Sequence, residues 1–232
     1  MKNYEIISEL KKRHDTLVYM ELFGCCTDHT GKMTGLNSFS TSVCCNESCQ
    51  KKRNIPGSIC EHCFSASMHD QYSDLAKKTA RNTELITECI IPVEHFPIIT
   101  KKNCEHGFRF ESFGDLNNEI QAVNYFNWCS VIDGNCALWT KNPWIIEMAM
   151  KKYGIEKPSN LTIIGSSYFV NKPMTDYYKR FDFIDHVFTV YTPEYARENN
   201  VFISCGARSC ASCQKCYKKG LWTNYEINEL LK

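Results

Sequence analysis

Short apolar segments alternate with segments of helical spacing from residue 107 to residue 204, and this alternation limits the fold more than any other feature. The segments of strand character, rich in β-branched and aromatic residues, are 108–112, 136–141, 160–167, 186–191 and 201–204. The segments between them predict helices over 117–132, 143–154, 172–181 and 193–200. Strands that alternate with helices of this length predict right-handed βαβ units and a parallel sheet.

The amino-terminal third adds two elements to this pattern. Residues 4–13 have helical spacing, and 16–23 is rich in β-forming residues, so we predict a helix followed by a sixth strand. We therefore expect one α/β domain over 1–232, built either as a partial (β/α) barrel or as an open, doubly wound parallel sheet. In both architectures ligands bind at the carboxyl ends of the strands.

Polar residues follow these strands at the edge where a ligand would bind. Glu111, Ser112, Gly114 and Asp115 lie at or just after the end of the strand at 108–112, and Thr140, Lys141 and Asn142 lie likewise at the strand at 136–141. Ser166 and Ser167 lie at the end of the strand at 160–167, Tyr191 and Thr192 at the end of the strand at 186–191, and Cys205 follows the strand at 201–204. No glycine-rich phosphate loop and no Ser/His/Asp arrangement accompanies them.

The chain contains 15 cysteines, although 43% of its residues are hydrophobic and can build a core without disulfides. An odd number of cysteines cannot all pair within one chain. The sequence has no run of about 18 apolar residues and begins without the apolar stretch of a signal peptide. We therefore expect a cytoplasmic protein with no membrane segment, whose clustered cysteines are metal ligands or catalytic groups.

The carboxy-terminal segment 205–220 holds four cysteines with the spacing C-x4-C-x2-C-x2-C: Cys205, Cys210, Cys213 and Cys216. Four thiolates within so short a loop can surround one centre, and both zinc and a [4Fe–4S] cluster accept four sulfurs. We predict a metal site here and leave zinc and iron–sulfur open, because thiolates bind both. The alternative is four reduced cysteines with no ligand.

A second cysteine set lies in the long loop 24–66, where Cys60 and Cys63 form a C-x2-C pair and Cys49 precedes them. Loops of this length are usually functional. Three cysteines can hold a cluster with one iron open to a cofactor, and the helix predicted after Cys63 would favour thiolates at its start. The alternative is a second structural zinc, completed by Cys44, Cys45 or His62.

The net charge is +1, so charge identifies no partner for the chain as a whole. Local basic residues nevertheless lie beside both cysteine sets, at Lys51, Lys52 and Arg53 and at Lys215, Lys218 and Lys219. A solvated surface is one interpretation. Positive charge close to a thiolate cluster, a phosphate or a nucleic acid is the other.

Several segments resemble the phage "gene product 88" family in the order in which they occur. They are NSFSTSVCCNESC, SICEHCFSAS, RFESFGDLNNEIQAVNYF, ALWTKNP, KPSNLTIIGSS, FTVY and ISCGARSCASCQKCY, and together they extend over roughly residues 35 to 217. The resemblance implies a phage or prophage origin, and with it the cytoplasm of a bacterial host.

A more distant resemblance is to radical S-adenosylmethionine proteins of the spore-photoproduct-lyase type, which have a cysteine loop ending in C-x2-C-aromatic before a partial, TIM-like barrel. Cys60, Cys63 and Phe64 match that ending, whereas ten residues separate Cys49 from Cys60 in place of the family's three. The resemblance implies a [4Fe–4S] cluster on Cys49, Cys60 and Cys63 with S-adenosylmethionine on its open iron. Glu111 and Ser112 would face the methionine part of this cofactor, and Asp115 would either join them or cap a helix at Leu116.

Two functions follow as hypotheses. The first is an iron–sulfur enzyme of the radical type, with an auxiliary cluster at the carboxy-terminal cysteines and a nucleotide or nucleic acid as substrate. The second is a non-enzymatic phage effector with structural zinc or iron–sulfur sites that binds and inhibits a host protein or nucleic-acid complex. Aromatic residues for such an interface are Trp139, Trp144, Tyr177, Tyr178 and Trp222, although packing in the core is their commoner role.

Overall fold

A computed structural model describes residues 2–218 and 225–231. These residues form a six-stranded sheet in which every strand pairs in parallel with the next one along the chain. The strands are β1 (Asn37–Phe39), β2 (Phe108–Phe110), β3 (Cys136–Thr140), β4 (Leu161–Ser166), β5 (His186–Tyr191) and β6 (Glu226–Leu230). The predicted α/β class with a parallel sheet is thus confirmed.

Helices connect and flank the strands. They are α1 (Asn3–Lys11), α2 (Thr16–Phe23), α3 (Glu47–Arg53), α4 (Phe64–Gln71), α5 (Ser73–Thr87), α6 (Glu119–Cys129), α7 (Pro143–Tyr153), α8 (Thr175–Tyr178), α9 (Pro193–Glu198) and α10 (Cys210–Cys213). Short 3-10 turns occur at Gly31–Met33, Val93–His95 and Lys101–Cys104. No helix within the described ranges is long and apolar enough to cross a membrane.

Helices with clear end signals lie where the sequence predicts them. Helix α6 starts after Asn118, whose side-chain oxygen accepts a hydrogen bond from the Gln121 amide at 3.0 Å. Helix α7 starts at Pro143 and ends before Gly154, which has the left-handed φ of 62° common just after a helix. Because Asn118 caps α6, Asp115 does not cap a helix at Leu116.

The predicted strand at 16–23 is wrong, because this segment forms α2. The Asp15 side chain accepts a hydrogen bond from the Val18 amide at 3.0 Å, and Gly24 ends the helix with φ 105°. These two end groups satisfy the backbone of a helix and outweigh the β-forming composition. The first strand of the sheet is instead β1, which lies inside the segment predicted as a long loop.

The predicted strand at 201–204 is also wrong. The sixth strand is Glu226–Leu230, and the irregular segment before Cys205 runs beside it. The amides of Ser204 and Cys205 donate to the Asn228 carbonyl at 3.1 and 2.9 Å. The helix predicted over 172–181 is only the short α8, and the helix after Cys63 is divided into α4 and α5.

The two faces of the sheet differ in what covers them. One face contains the main core, in which Phe39, Phe110, Leu138 and Ile163 are buried and the rings of Phe39 and Phe110 contact Trp128. The strand order never reverses, so the sheet lacks the switch point of a doubly wound sheet. The connecting helices α6 and α7 pack on this face. The other face carries a small cluster of Leu36, Ala137 and Tyr217. The cysteine segment after Ser204 therefore lies against the face opposite the main core.

Candidate functional site

A cavity of about 360 Å³ lies between the carboxyl ends of the strands and the cysteine segment. Predicted residues from three strand ends line it together: Glu111, Ser112 and Asp115 after β2, Lys141 after β3 and Ser166 at the end of β4. They meet because the carboxyl ends of parallel strands share one edge of the sheet. The structure thus brings these residues to one cavity, and their role in binding a ligand stays a prediction.

All four carboxy-terminal cysteines line the same cavity. Helix α10 carries Cys210 and Cys213, while Cys205 precedes it and Cys216 follows it. Burial raises the pKa of Cys205 and Cys210, and it raises that of Cys216 to about 12, with the neighbouring thiols adding to the effect. Without a bound cation the sulfurs of Cys205, Cys210 and Cys216 are therefore thiols rather than thiolates at neutral pH.

Whether these cysteines fit a metal centre depends on the chemistry of the donor atoms and on their positions. Four sulfurs on one cavity wall are the donor set that zinc or an iron–sulfur cluster requires. Their positions do not yet complete a site, because no three Cys, His, Asp or Glu side chains stand within reach of one ion in residues 2–218 and 225–231. The chemistry of the donors fits a metal, and their placement requires a further approach of the sulfurs.

The amino-terminal cysteines are arranged differently. Cys49 lies on α3, and Cys63 is the residue before the first turn of α4. Neither these two nor Cys60 lines the cavity, whereas Ser65 in the first turn of α4 does. Burial raises the pKa of Cys49 and of Cys60. The assignment of this set to a cluster stays a prediction.

The residues suggested to complete an amino-terminal zinc site lie at the surface. Cys44, Cys45 and His62 are exposed. The sulfur of Cys44 lies 3.9 Å from Nδ1 of His69. His69 is buried, and its other ring nitrogen lies 3.2 Å from the Thr79 hydroxyl.

Glu111 is buried at the end of β2 and surrounded by protein donors. Its carboxylate accepts hydrogen bonds from the Thr41 amide at 3.1 Å, the Thr41 hydroxyl at 3.0 Å, the Gln121 amide group at 2.7 Å and the Tyr125 hydroxyl. Burial raises the pKa of Glu111 to about 8, although the hydrogen bonds oppose this shift. Glu111 also has a left-handed φ of 59°, which is rare for a residue with a side chain. The carboxylate thus ties the segment after β1 to helix α6.

Asp115 connects β2 with β3 at the same edge. Its carboxylate accepts hydrogen bonds from the Thr140 hydroxyl at 2.6 Å, the Lys141 amide at 3.0 Å and the Leu116 amide at 2.8 Å. The Lys52 ammonium lies 3.9 Å from it. In this structure protein groups occupy the oxygens of both Glu111 and Asp115, and their assignment to a cofactor stays a prediction. The Ser112 hydroxyl, in contrast, is buried without a partner.

The basic residues before Cys60 do not form one solvated surface. Lys51 is exposed and pairs with Glu47, but Lys52 is buried and donates to Ser48 and Asn142. Burial lowers the pKa of Lys52, and the charge of Asp115 opposes this shift. The surface interpretation holds for Lys51 and fails for Lys52. Lys219 lies outside the described residues.

Several residues of the cavity were not predicted from the sequence. Arg109, in the middle of β2, stacks on the ring of Trp139 on β3 at 3.9 Å. Lys32 and Glu229 also line the cavity, as does the buried Tyr217. A charged residue in the centre of an otherwise apolar strand is the one sequence feature that indicates Arg109, because parallel strands are usually apolar on both faces.

The aromatic residues considered for an interface are mostly internal. Tyr178 is buried, Tyr177 is half-buried, and Trp139 is covered by Arg109. Trp144 is 43% exposed, and Trp222 lies outside the described residues.

Comparison of the chain with protein-family models, with curated proteins and with solved structures gave no match. The resemblances to the phage family and to radical S-adenosylmethionine proteins stay predictions.

Proposed function

We propose that the protein is an iron–sulfur protein of phage origin. In this proposal Cys205, Cys210, Cys213 and Cys216 hold a cluster beside a cavity that binds a small ligand. The observation that carries the proposal is that all four sulfurs line the same cavity as the strand-end residues Ser112 and Lys141. A thiolate-ligated metal next to a ligand cavity is the arrangement expected of an enzyme rather than of a purely structural staple.

The fold supports the proposed relation to radical S-adenosylmethionine proteins. Parallel strands in chain order, with connecting helices α6 and α7 on one face, are features that a partial (β/α) barrel would have. Cys49, Cys60 and Cys63 would hold a second cluster in this proposal, and Glu111 and Ser112 would face the methionine part of S-adenosylmethionine, as the resemblance implies. Lys52, which lies near Cys49, would balance part of the negative charge of thiolate ligands there.

The test is purification under anaerobic conditions, followed by an absorbance spectrum and by iron, sulfide and zinc analysis of the same sample. We expect the broad visible absorbance of an iron–sulfur cluster, with iron and sulfide in equal amounts. Zinc without iron, both before and after reconstitution, would contradict the proposal. That result would favour the alternative of a non-enzymatic effector with structural zinc, which binds a host protein or nucleic-acid complex.

A further inference from the structure

A thiol, an imidazole and a hydroxyl from three segments lie in a row outside the cavity. The Cys44 sulfur lies 3.9 Å from Nδ1 of His69, and Nε2 of His69 lies 3.2 Å from the Thr79 hydroxyl. Cys44 is exposed, whereas His69 is only 5% and Thr79 only 2% exposed. Neither Cys44 nor His69 lines the cavity. An exposed thiol with a buried base behind it, and a third group that orients the base, is the arrangement of a nucleophilic cysteine.

The hydrogen bonds of Thr79 assign the protonated nitrogen of the His69 ring. The Thr79 hydroxyl donates its one hydrogen to the backbone carbonyls of Leu75 at 2.9 Å and Ala76 at 3.1 Å. Its oxygen is therefore left to accept from Nε2–H of His69, so Nδ1 presents a lone pair to the thiol. Burial lowers the pKa of His69, which keeps the imidazole neutral at pH 7 and able to take a proton.

The segment that carries Cys44 is fixed on both sides of this residue. Before it, the Val43 carbonyl accepts a hydrogen bond from the Gln50 side chain at 2.8 Å. After it, the buried Asn46 donates from its side chain to the Asp115 carbonyl at 2.9 Å. These bonds hold the backbone around the thiol, so the sulfur and the imidazole keep their relative positions. A sulfur–nitrogen distance of 3.9 Å is long, as such pairs often are before a substrate binds.

The neighbouring Cys45 cannot act as the second thiol of a redox pair with Cys44. A trans peptide bond joins the two residues, which places their Cα atoms about 3.8 Å apart. Ordinary disulfides need a Cα separation of about 4.4–6.8 Å. The group in contact with the Cys44 sulfur is instead a proton acceptor, His69. A thiol beside a base is suited to attack on a carbonyl carbon, where a proton leaves the nucleophile and reaches the leaving group.

We propose that Cys44 is a nucleophile that accepts an acyl group, with His69 as its general base and Thr79 as the residue that positions the ring. The sulfur attacks the carbonyl carbon of the acyl donor while the thiol proton passes to Nδ1 of His69. The sulfur–carbon bond forms and the bond from the carbonyl carbon to the leaving group breaks. The leaving group takes the proton from His69 and departs as a thiol or an alcohol, and Cys44 carries the acyl group as a thioester.

The exposure of Cys44 limits the class of acyl donor. The thiol is exposed and does not line the cavity, so the protein does not enclose the carbonyl group under attack. The donor must therefore be activated already, as a thioester or an ester with a good leaving group is, and an unactivated amide is excluded. The inference is independent of the proposed iron–sulfur centre, because neither Cys44 nor His69 is among its ligands.

The experiment is labelling of the full chain with phenyl thioacetate, a thioester, and with p-nitrophenyl acetate, an ester, followed by tandem mass spectrometry of its peptides. Cys45 is the internal control: it is exposed too, but in residues 2–218 and 225–231 only the Cys44 sulfur lies within hydrogen-bond distance of a histidine nitrogen. We expect at least one donor to acetylate Cys44 at least about tenfold faster than Cys45, because a general base assists only Cys44. The donor that reacts identifies the acyl source. Equal rates at the two cysteines with both donors would overturn the proposal.

Variants of the base and of its positioning residue assign the effect to this arrangement. His69→Gln removes the proton acceptor and should lower the rate at Cys44 to that at Cys45. Thr79→Val removes the acceptor of Nε2–H and should lower the rate at Cys44, whereas Thr79→Ser keeps the hydroxyl and should keep the rate. Circular dichroism shows whether each variant is folded. A folded His69→Gln variant with the wild-type rate, or equal rates in the two Thr79 variants, would overturn the proposal.

Glutathione disulfide separates acyl chemistry from thiol–disulfide exchange. Fast reaction of Cys44 with glutathione disulfide and with neither acyl donor would overturn the acyl assignment.

Discussion

The Lys32 ammonium lies 2.6 Å from the Glu229 carboxylate, and this ion pair links the segment before β1 to β6. Strands β1 and β6 are the two edges of the sheet, so the ion pair connects one edge of the sheet with the other. The same ammonium lies 3.2 Å from the sulfur of Cys205. One side chain therefore joins the first strand segment, the last strand and the cysteine segment.

Replacement of Lys32 by methionine should lower the free energy of unfolding. Both partners are only 23% exposed, so the change leaves Glu229 largely buried without its counter-ion. We expect a loss of about 1–2 kcal/mol, between the values of exposed and of fully buried ion pairs. Urea unfolding measures it, with Lys51→Met as the control, because Lys51 pairs with Glu47 in solvent. Equal effects of the two substitutions would show that the Lys32 pair has no special role.

Glu111 should make the free energy of unfolding depend on pH, because its pKa differs between the unfolded chain and the folded protein. Its pKa is 4.5 in the unfolded chain and is raised to about 8 in the folded protein by burial. Within this interval the folded protein keeps a proton that the unfolded chain has released, so stability falls as pH rises toward about 8. The slope from this one group is at most about 1.4 kcal/mol for each pH unit.

The measurement is the free energy of unfolding from pH 5 to pH 8.5 for the wild type and for Glu111→Gln. The glutamine cannot ionise, so the stability of the wild type relative to the variant should decline as pH rises. The difference between the curves cancels the histidines and cysteines that titrate in both proteins. Parallel curves would contradict the raised pKa of Glu111.

Gly114 is required by the close approach of two chain segments. A Cβ atom at this position would lie 2.4 Å from Oε2 of Glu111 and 2.6 Å from the Thr41 carbonyl oxygen. Gly114→Ala should therefore destabilise the protein by about 1–3 kcal/mol, the usual cost of overpacking. Gly206→Ala is the control, because a Cβ there meets no atom within 4 Å. A thermal melt in which both variants match the wild type would show that the Gly114 contact relaxes freely.

Elements with local end signals were predictable from the sequence, and elements that depend on distant pairing were not. Asn118, Pro143 and Gly154 fix the ends of α6 and α7 within a few residues of the chain. For α2, the end signals Asp15 and Gly24 were present, but the β-forming composition between them favoured the wrong prediction. The sixth strand could not be found in this way, because 226–230 becomes a strand only by pairing with β5.

The candidate site was predictable in outline for a similar reason. Parallel strands bring their ends to one edge, so Ser112, Lys141 and Ser166 were expected to meet. The cavity wall formed by the cysteine segment depends on how that segment folds back over the sheet. Nothing local in the sequence indicates that Tyr217 is buried against Ala137, or that Lys32 reaches Glu229.

The most direct test of the central claim is the iron and sulfide content per chain after anaerobic reconstitution, compared between wild type and a Cys210→Ser/Cys213→Ser variant. Cys89→Ser is the matched control, because Cys89 packs against the helix-side core and does not line the cavity. We predict that the control keeps the wild-type iron content and that the double variant loses the share held by the carboxy-terminal site. The same iron content in all three proteins, or no iron in the wild type, would contradict a cluster at Cys205, Cys210, Cys213 and Cys216.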